Sequence, residues 1–217
     1  MIDYERARKM MVDNQLRTHQ VTERRLLNAM GRMPRELFVT DARKPLAYID
    51  EAQPLGVAGS SRFMAPPALF ARLVQLAEVQ AGDDVLDIGA GTGYSVAVLA
   101  TLGASVLGLE DDAALVALAN GNLATLGVSN ATVMQGSIGD VTGLYDVIVI
   151  EGALHHVPPA LLTRLREGGR LVAMIRTGAV AVANVYVKSG TGVTARAEFD
   201  ASLPPLLGAR PVEQFVF

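Results

Sequence analysis

The hydrophobic pattern of residues 67–217 alternates between two periods. Short runs that are apolar throughout predict buried strands, and stretches with apolar residues three or four positions apart predict helices. The predicted strands cover residues 85–89, 105–110, 131–136, 145–152 and 170–175, and the predicted helices cover residues 68–79, 94–102, 113–126 and 159–165. Apolar strands separated by helices indicate a parallel sheet that is covered on both faces.

Both ends of the chain have a different pattern. Residues 4–38 have helical spacing, with Thr22 as a candidate N-cap, whereas residues 39–66 are punctuated by proline and glycine and predict a long surface connection. Three segments near the end predict antiparallel strands that close one edge of the sheet, at residues 182–188, 193–199 and 214–217. We therefore predict a single α/β domain over residues 1–217, in which residues 1–66 are added to a core of residues 67–217.

Composition excludes several classes of protein. The chain has 217 residues, of which 50% are hydrophobic and 19% charged, so it is long and apolar enough to bury a core and is not disordered. A formal charge of −3 gives no basic field for a nucleic acid, and the absence of cysteine excludes disulfides and thiolate metal sites. A charged N-terminal segment and the lack of any apolar run long enough to span a bilayer favour a cytoplasmic protein without a membrane partner.

The segment VLDIGAGTGYSVAVLA, residues 85–100, carries the clearest chemical signal. A predicted strand contains Asp87, three glycines alternate with small residues at Gly89, Gly91 and Gly93, and a predicted helix follows. Glycines let the backbone turn sharply and approach a ligand, and the helix N-terminus offers unpaired N–H groups, so the segment predicts a nucleotide-type cofactor site. Dinucleotide-binding folds require a third glycine where this chain has Tyr94, which argues against a dinucleotide.

The alternating glycines instead resemble the Rossmann-like methyltransferases that bind S-adenosyl-L-methionine. In that fold the next strand ends in a carboxylate that accepts both ribose hydroxyls, and Glu110 occupies this position. The resemblance implies the following cofactor-binding residues: Asp87, Gly89, Ala90, Gly91, Thr92, Gly93, Glu110, Gly136, Ser137 and Glu151. Simpler interpretations remain open for three of them: Asp87 as a helix cap, Glu110 as a solvated strand end and Ser137 as an ordinary turn residue.

His155 and His156 suggest a general base or a metal pair. Adjacent residues point in different directions on a helix or strand, and no third ligand lies nearby in the sequence. We expect loop histidines here, and no metal.

The first 39 residues are similar to one methyltransferase family, the protein-L-isoaspartate O-methyltransferases. That family begins with a Met-Val-x-x-Gln-Leu motif and continues with Ala-Met-x-x-x-Pro-Arg-Glu-x-Phe-Val. Here the motifs are Met11, Val12, Gln15 and Leu16, then Ala29, Met30, Pro34, Arg35, Glu36, Phe38 and Val39. The resemblance extends over nearly the whole chain and implies methylation of isoaspartyl carboxylates in damaged proteins or peptides, by a monomer or homodimer.

The acceptor loop departs from the family pattern. The family has a Thr-Ile-Ser-x-Pro segment whose serine belongs to the pocket for the isoaspartyl carboxylate, and counting back from residue 85 aligns it with Phe63, Met64 and Ala65. The family serine position is therefore Ala65, and no hydroxyl is retained there. Ser61, with its neighbour Ser60, and Arg62 are the nearby candidates for a replacement hydroxyl and a counter-charge, although turn or surface roles fit them equally well.

The fourth strand departs as well, because Ile150–Ala153 replaces the family's Val-Thr-Ala-Ala and places Glu151 where an ionised carboxylate repels a carboxylate substrate. These changes predict weak isoaspartyl methylation. Two alternatives stay open: a methyltransferase of the same fold with a small-molecule acceptor, and a non-catalytic module that binds S-adenosyl-L-methionine.

Overall fold

The N-terminal segment forms two short helices that pack on the main domain. The computed structural model describes residues 2–56, 61–178 and 180–206. Helix α1 (Tyr4–Met11) is capped by Asp3, and a π-helical turn (Val12–Leu16) continues it towards α2 (Arg24–Arg32). The cap of α2 is Glu23, whose carboxylate accepts hydrogen bonds from two backbone N–H groups of the first turn. The prediction of Thr22 as N-cap was therefore wrong by one residue, because the backbone N–H of Thr22 donates to the side chain of Gln75 instead.

Residues 39–56 and 61–66 lie only partly on the surface. They contain a 3₁₀ turn (Asp41–Leu46) and a two-stranded antiparallel ribbon of β1 (Gln53–Pro54) and β2 (Phe63–Met64). The turn has no buried residue, whereas the apolar residues Ala47, Tyr48, Leu55, Met64 and Ala65 are buried in the main core. The prediction of a surface connection therefore holds for the turn and was wrong for these apolar residues, because proline and glycine mark breaks in regular structure and carry no information about burial.

A seven-stranded sheet forms the centre of the domain, in the order β5-β4-β3-β6-β7-β8-β9. Its strands are β3 (Asp84–Ile88), β4 (Ser105–Glu110), β5 (Ala131–Gln135), β6 (Tyr145–Leu154), β7 (Leu165–Arg176), β8 (Ala181–Ser189) and β9 (Gly192–Ala201). Strands β3 to β7 are parallel, and β8 and β9 are antiparallel additions at one edge. This arrangement confirms the predicted Rossmann-like α/β sheet, while the strand predicted at 214–217 lies outside the described residues.

The helices of the core follow the strands closely. They are α3 (Pro67–Ala77), α4 (Tyr94–Ala100), α5 (Ala113–Thr125) and α6 (Pro159–Leu162). The predicted helix at residues 159–165 was too long, because β7 begins at Leu165, which pairs with Tyr145 of β6. Pairing with a neighbouring strand overrides the local helical pattern there.

Two apolar layers sandwich the sheet. Helices α3, α4 and α5 cover one face together with α1 and α2, while α6 and Val141 cover the other face. The central strands β3 and β6 are almost entirely buried, as expected for parallel strands covered on both faces. Since β3, β4 and β6 are parallel neighbours, their carboxyl ends meet at one edge of the sheet. In the described part of the chain, no helix has the length and apolarity required to cross a membrane.

Candidate functional site

A glycine turn directly after β3 forms the centre of the site. Gly89, Gly91 and Gly93 have φ values of 87°, 54° and 90°, in the left-handed region that residues with a side chain rarely adopt. The backbone N–H of Gly89 donates to the carbonyl oxygen of Leu109 (2.8 Å), which fixes the turn against β4. A Cβ on Gly93 would lie 3.1 Å from the Cβ of Ala119, so glycine also allows α4 and α5 to approach closely. The sequence prediction placed this turn at the correct residues.

The two residues between the glycines, Ala90 and Thr92, hold the turn in place. Ala90 is buried, and its backbone N–H donates to the carbonyl oxygen of Leu109 (3.1 Å). The hydroxyl of Thr92 donates to the carbonyl oxygen of Phe38 (2.6 Å). The turn is thus tied both to the sheet and to the N-terminal segment.

Glu110 lies at the carboxyl end of β4 and reaches the glycine turn. Its side chain is fully buried and accepts hydrogen bonds from the backbone N–H groups of Gly91 (2.8 Å) and Asp112 (3.2 Å). Burial raises the pKa of this carboxyl group, the nearby Asp111 raises it further, and the Arg62 guanidinium opposes both. The alternative of a solvated strand end is excluded, and a buried carboxylate is held beside the turn.

Asp87 lies within β3, below the turn. It is fully buried, and its Oδ2 accepts a hydrogen bond from the Ser95 hydroxyl (2.5 Å) while its Oδ1 has no hydrogen-bond partner. Burial raises the pKa of Asp87 to about 7; the Ser95 hydroxyl opposes this rise and the charge of Glu110 adds to it. The alternative of a helix cap was wrong, because the N-cap residue of α4 is Gly93 and no side chain caps this helix.

The third strand end contributes Gly136 and Ser137. The backbone N–H of Gly136 donates to the carbonyl oxygen of Glu110 (3.0 Å), which brings this strand end beside the carboxylate. Ser137 is exposed, and its side chain forms a capping box with Asp140. Turn chemistry thus accounts for the Ser137 side chain, and contact of Gly136 and Ser137 with the cofactor stays a prediction.

Arg62 closes the site from the acceptor loop. Its Nε lies 2.9 Å from Glu110 Oε1 and its Nη2 lies 2.8 Å from Asp111 Oδ1, and its side chain is only 11% exposed. The surface alternative is therefore excluded, and the guanidinium is a counter-charge for Glu110 rather than for a group beside residues 63–65. Ser61 is exposed and does not line the cleft, and Ser60 lies outside the described residues.

The cleft beside the glycine turn is narrow, with free space of about 20 Å³, which is room for about one water molecule. Phe63, Met64 and Ala65 line it, as the count from the family motif predicted. Leu206 fills the space that a Cβ on Gly89 would take, and Leu55 does the same at Gly91, at 2.6 Å.

A nucleoside with an amino-acid chain fits the chemistry of this cleft, which combines a glycine cradle with a buried carboxylate. Two protein side chains occupy the edges of this cleft: Leu206 fills the space beside Gly89, and Arg62 binds Glu110 Oε1.

Glu151 lies in β6 and lines the same cleft. It is 8% exposed, and its Oε1 has no hydrogen-bond partner in the described part of the chain. Burial raises the pKa of Glu151 well above its ordinary value, the charge of Asp87 adds to this, and Arg35 opposes it. This shift towards the neutral form weakens the repulsion of a carboxylate ligand that the sequence predicted.

Sequence reasoning missed the role of Arg35, which lines the cleft from the N-terminal segment. Its only signal in the sequence was its place in the Pro-Arg-Glu part of the family motif, beside Glu36. His155 and His156 are exposed after β6, and the described residues contain no group of three potential metal ligands.

Comparisons with known proteins give a consistent result. The family model described as "Protein-L-isoaspartate(D-aspartate) O-methyltransferase" matches residues 6–203. A protein-L-isoaspartate O-methyltransferase of Koribacter versatilis is 37% identical over 211 residues, which cover 94% of this chain and 91% of the relative. One of Aeropyrum pernix is 34% identical over 215 residues, which cover 94% of this chain and 81% of the relative.

Two solved structures share the fold. A protein-L-isoaspartate O-methyltransferase superposes with a TM-score of 0.81 at 24% identity, covering 91% of this chain and 65% of its own. A putative protein-L-isoaspartate O-methyltransferase from Plasmodium falciparum, solved in complex with S-adenosyl-L-homocysteine, superposes with a TM-score of 0.76 at 21% identity, covering 93% of this chain and 99% of its own.

Proposed function

The chain belongs to the protein-L-isoaspartate(D-aspartate) O-methyltransferase family, and from this membership we propose that it methylates the free carboxylate of isoaspartyl residues in proteins or peptides. It is an S-adenosyl-L-methionine-dependent methyltransferase. The observation that carries the proposal is the match to the family over residues 6–203, which includes the N-terminal motifs as well as the glycine turn. Repair of damaged proteins in the cytoplasm, by a monomer or homodimer, is the corresponding biological proposal.

The cofactor-side residues have distinct tasks in this proposal. Gly89, Gly91 and Gly93 allow the backbone to contact the ligand, and Glu110 accepts the ribose hydroxyls. Its two backbone donors support this task, because they hold the carboxylate beside the turn before any ligand arrives, whereas the ion pair of Arg62 with Oε1 has to weaken when the ribose binds. Asp87, Ala90, Thr92, Gly136 and Ser137 complete the proposed cofactor set.

Methyl transfer to a carboxylate depends mainly on how the protein positions the methyl donor and the acceptor. S-adenosyl-L-methionine supplies an electrophilic methyl group on a sulfonium sulfur, and a carboxylate is already anionic at neutral pH. No general base is needed, so the protein must align the acceptor and exclude water. The buried cleft lined by Phe63, Met64 and Ala65 supports both tasks.

Transfer of labelled methyl from S-adenosyl-L-methionine to an isoaspartyl peptide tests the proposal, with the same peptide carrying normal aspartate as control. Selective labelling of the isoaspartyl peptide is expected. Binding of S-adenosyl-L-homocysteine without methyl transfer to either peptide would contradict it.

A different acceptor is the second candidate function. Phe63 and Ala65 stand where the family motif has a threonine and a serine, so this wall of the cleft lacks two hydroxyl groups and is more apolar. If small carboxylic acids are labelled and the isoaspartyl peptide is not, this second function replaces the first.

A further inference from the structure

The floor of the cleft carries a buried cation with an unused donor. Arg35 is 0% exposed, and its Nε donates to the carbonyl oxygen of Ala47 (2.8 Å). Its Nη2 donates to the carbonyl oxygen of Ala65 (2.5 Å), and the guanidinium carbon lies 4.7 Å from the centre of the Tyr94 ring. The remaining nitrogen, Nη1, has no hydrogen-bond partner in the described part of the chain.

The hydroxyl of Tyr94 is buried and without a hydrogen-bond partner as well, within the same described ranges. Arg35 and Tyr94 both line the cleft beside the glycine turn. Buried polar atoms are rarely left unsatisfied, and each one costs on the order of 1–3 kcal/mol when it is. The two side chains lie close enough to each other for each to shift the pKa of the other. One acceptor atom placed between Nη1 and the phenol hydroxyl would satisfy both groups, so the pair is suited to a ligand that accepts hydrogen bonds.

The charges around the cleft narrow the choice of ligand. No carboxylate lies within ion-pair distance of Arg35 among residues 2–56, 61–178 and 180–206. Glu151 also lines the cleft, where burial raises its pKa well above the ordinary value and the positive charge of Arg35 opposes this rise. Burial also raises the pKa of Tyr94, so the phenol keeps its proton and can donate it in a hydrogen bond. A buried guanidinium that lacks an anion, next to a phenol, is suited to a carboxylate.

The position of Arg35 indicates which carboxylate this is. The hydrogen bond from Nη2 to Ala65 places the guanidinium against the residue aligned with the family's serine, in the acceptor part of the cleft. We propose that Arg35, through Nη1, and Tyr94, through its hydroxyl, receive the carboxylate of the methyl acceptor in place of the missing serine hydroxyl. This inference rests on the proposed function, since it assumes a carboxylate acceptor.

The decisive experiment measures binding and turnover separately. Wild type, Arg35→Lys and Tyr94→Phe are compared for the affinity of S-adenosyl-L-homocysteine, for isoaspartyl-peptide binding in its presence, and for kcat and KM. Arg32→Ala is the matched control, because it removes an exposed cation of the preceding helix, outside the residues that line the cleft. A peptide with isoasparagine, which replaces the carboxylate by a neutral amide, controls for charge.

The expected result is a selective loss of acceptor binding. Loss of one charge-assisted hydrogen bond raises the peptide KM of Arg35→Lys by about 10- to 100-fold. Tyr94→Phe keeps the ring and removes only the hydroxyl, so it raises KM by about 3- to 10-fold. Both variants keep the wild-type affinity for S-adenosyl-L-homocysteine, and the isoasparagine peptide binds all proteins equally weakly.

Three outcomes would overturn the inference. An unchanged peptide KM in folded Arg35→Lys contradicts it directly, and if that variant does not fold, an unchanged KM in Tyr94→Phe does so. Weakened binding of S-adenosyl-L-homocysteine with unchanged peptide binding would assign Arg35 to the carboxylate of the cofactor instead.

The same measurements keep the two proposals distinguishable. Failure of the wild type to methylate the peptide contradicts the proposed function. Charge-dependent binding of the peptide that is lost in Arg35→Lys would still support the assignment of Arg35 in that case.

Discussion

Replacement of Glu110 by glutamine tests the cofactor side of the cleft most directly. Glu110→Gln keeps the size of the side chain and one carbonyl oxygen, which can still accept from the backbone N–H of Gly91, now 2.8 Å from Oε2. The second oxygen is replaced by a donor, and the negative charge that attracts hydroxyl donors is lost. A ribose that donates two hydrogen bonds to the carboxylate loses at least one of them.

Loss of one or two such hydrogen bonds costs about 1.5–3 kcal/mol, or roughly 10- to 100-fold in the dissociation constant of S-adenosyl-L-homocysteine. Part of this loss is offset, because Arg62 no longer holds a buried ion pair that the ligand must weaken. Isothermal titration calorimetry measures the constant, and circular dichroism with thermal unfolding establishes that the variant is folded at the assay temperature.

Asp111→Asn provides the matched control. Asp111 also binds Arg62, at 2.8 Å, but its side chain is 48% exposed and it does not line the cleft. Its replacement should change the dissociation constant by less than about threefold. An unchanged constant in folded Glu110→Gln refutes the ribose assignment, and equal losses in both variants would attribute the effect to Arg62.

Two further predictions concern the buried carboxylate below the turn and the leucine above it. The pKa of Asp87 rises from 3.8 to about 7 on folding, so the folded protein binds this proton more tightly than the unfolded chain. The stability that comes from the protonated Asp87 is therefore complete below pH 3.8 and is lost as the pH rises through about 7. Urea unfolding measures the free energy of unfolding at each pH. Over this pH range wild type should lose up to about 4 kcal/mol more stability than Asp87→Asn, and parallel pH profiles of wild type and variant would contradict the assignment. Leu206→Ala should lower the stability of the ligand-free protein by about 2–5 kcal/mol, because it leaves a cavity in the core. S-adenosyl-L-homocysteine should then raise the Tm of this variant by more than it raises the Tm of wild type, because the ligand displaces less apolar packing. An equal or smaller rise in the variant would show that Leu206 does not compete with the ligand.

The sequence predicted the half of the site that local patterns determine. Gly89, Gly91 and Gly93 follow a predicted strand, and Glu110 ends the next one, so parallel pairing of β3 with β4 brings them together. Any chain with this order of strands and helices places those residues at one edge of the sheet. Knowledge of side-chain contacts was not needed.

The other half depends on contacts between distant segments. Arg35 reaches the cleft because a 3₁₀ turn and the ribbon of β1 and β2 fold over the sheet edge, and its partners Ala47 and Ala65 are 12 and 30 residues away in the chain. Arg62 meets Glu110 across 48 residues. No period in the hydrophobic pattern encodes such pairs, so neither the partner of Arg62 nor the role of Arg35 could be predicted.

Gly152, one of the departures from the family motif in β6, also explains why Leu206 fills the space beside Gly89. Gly152 stands where the family has alanine, and a Cβ there would lie 2.5 Å from the Cα of Leu206, too close for the segment that now occupies the space. The segment around Leu206 pairs with the end of β6 through two hydrogen bonds. The backbone N–H of Ala153 donates to the carbonyl oxygen of Pro204 (2.9 Å), and the backbone N–H of Leu206 donates to the carbonyl oxygen of Ala153 (3.0 Å). The pairing then directs the Leu206 side chain against Gly89. Glycine at residue 152 therefore permits the Leu206 segment to pack against the end of β6 and the leucine side chain to fill the space beside Gly89.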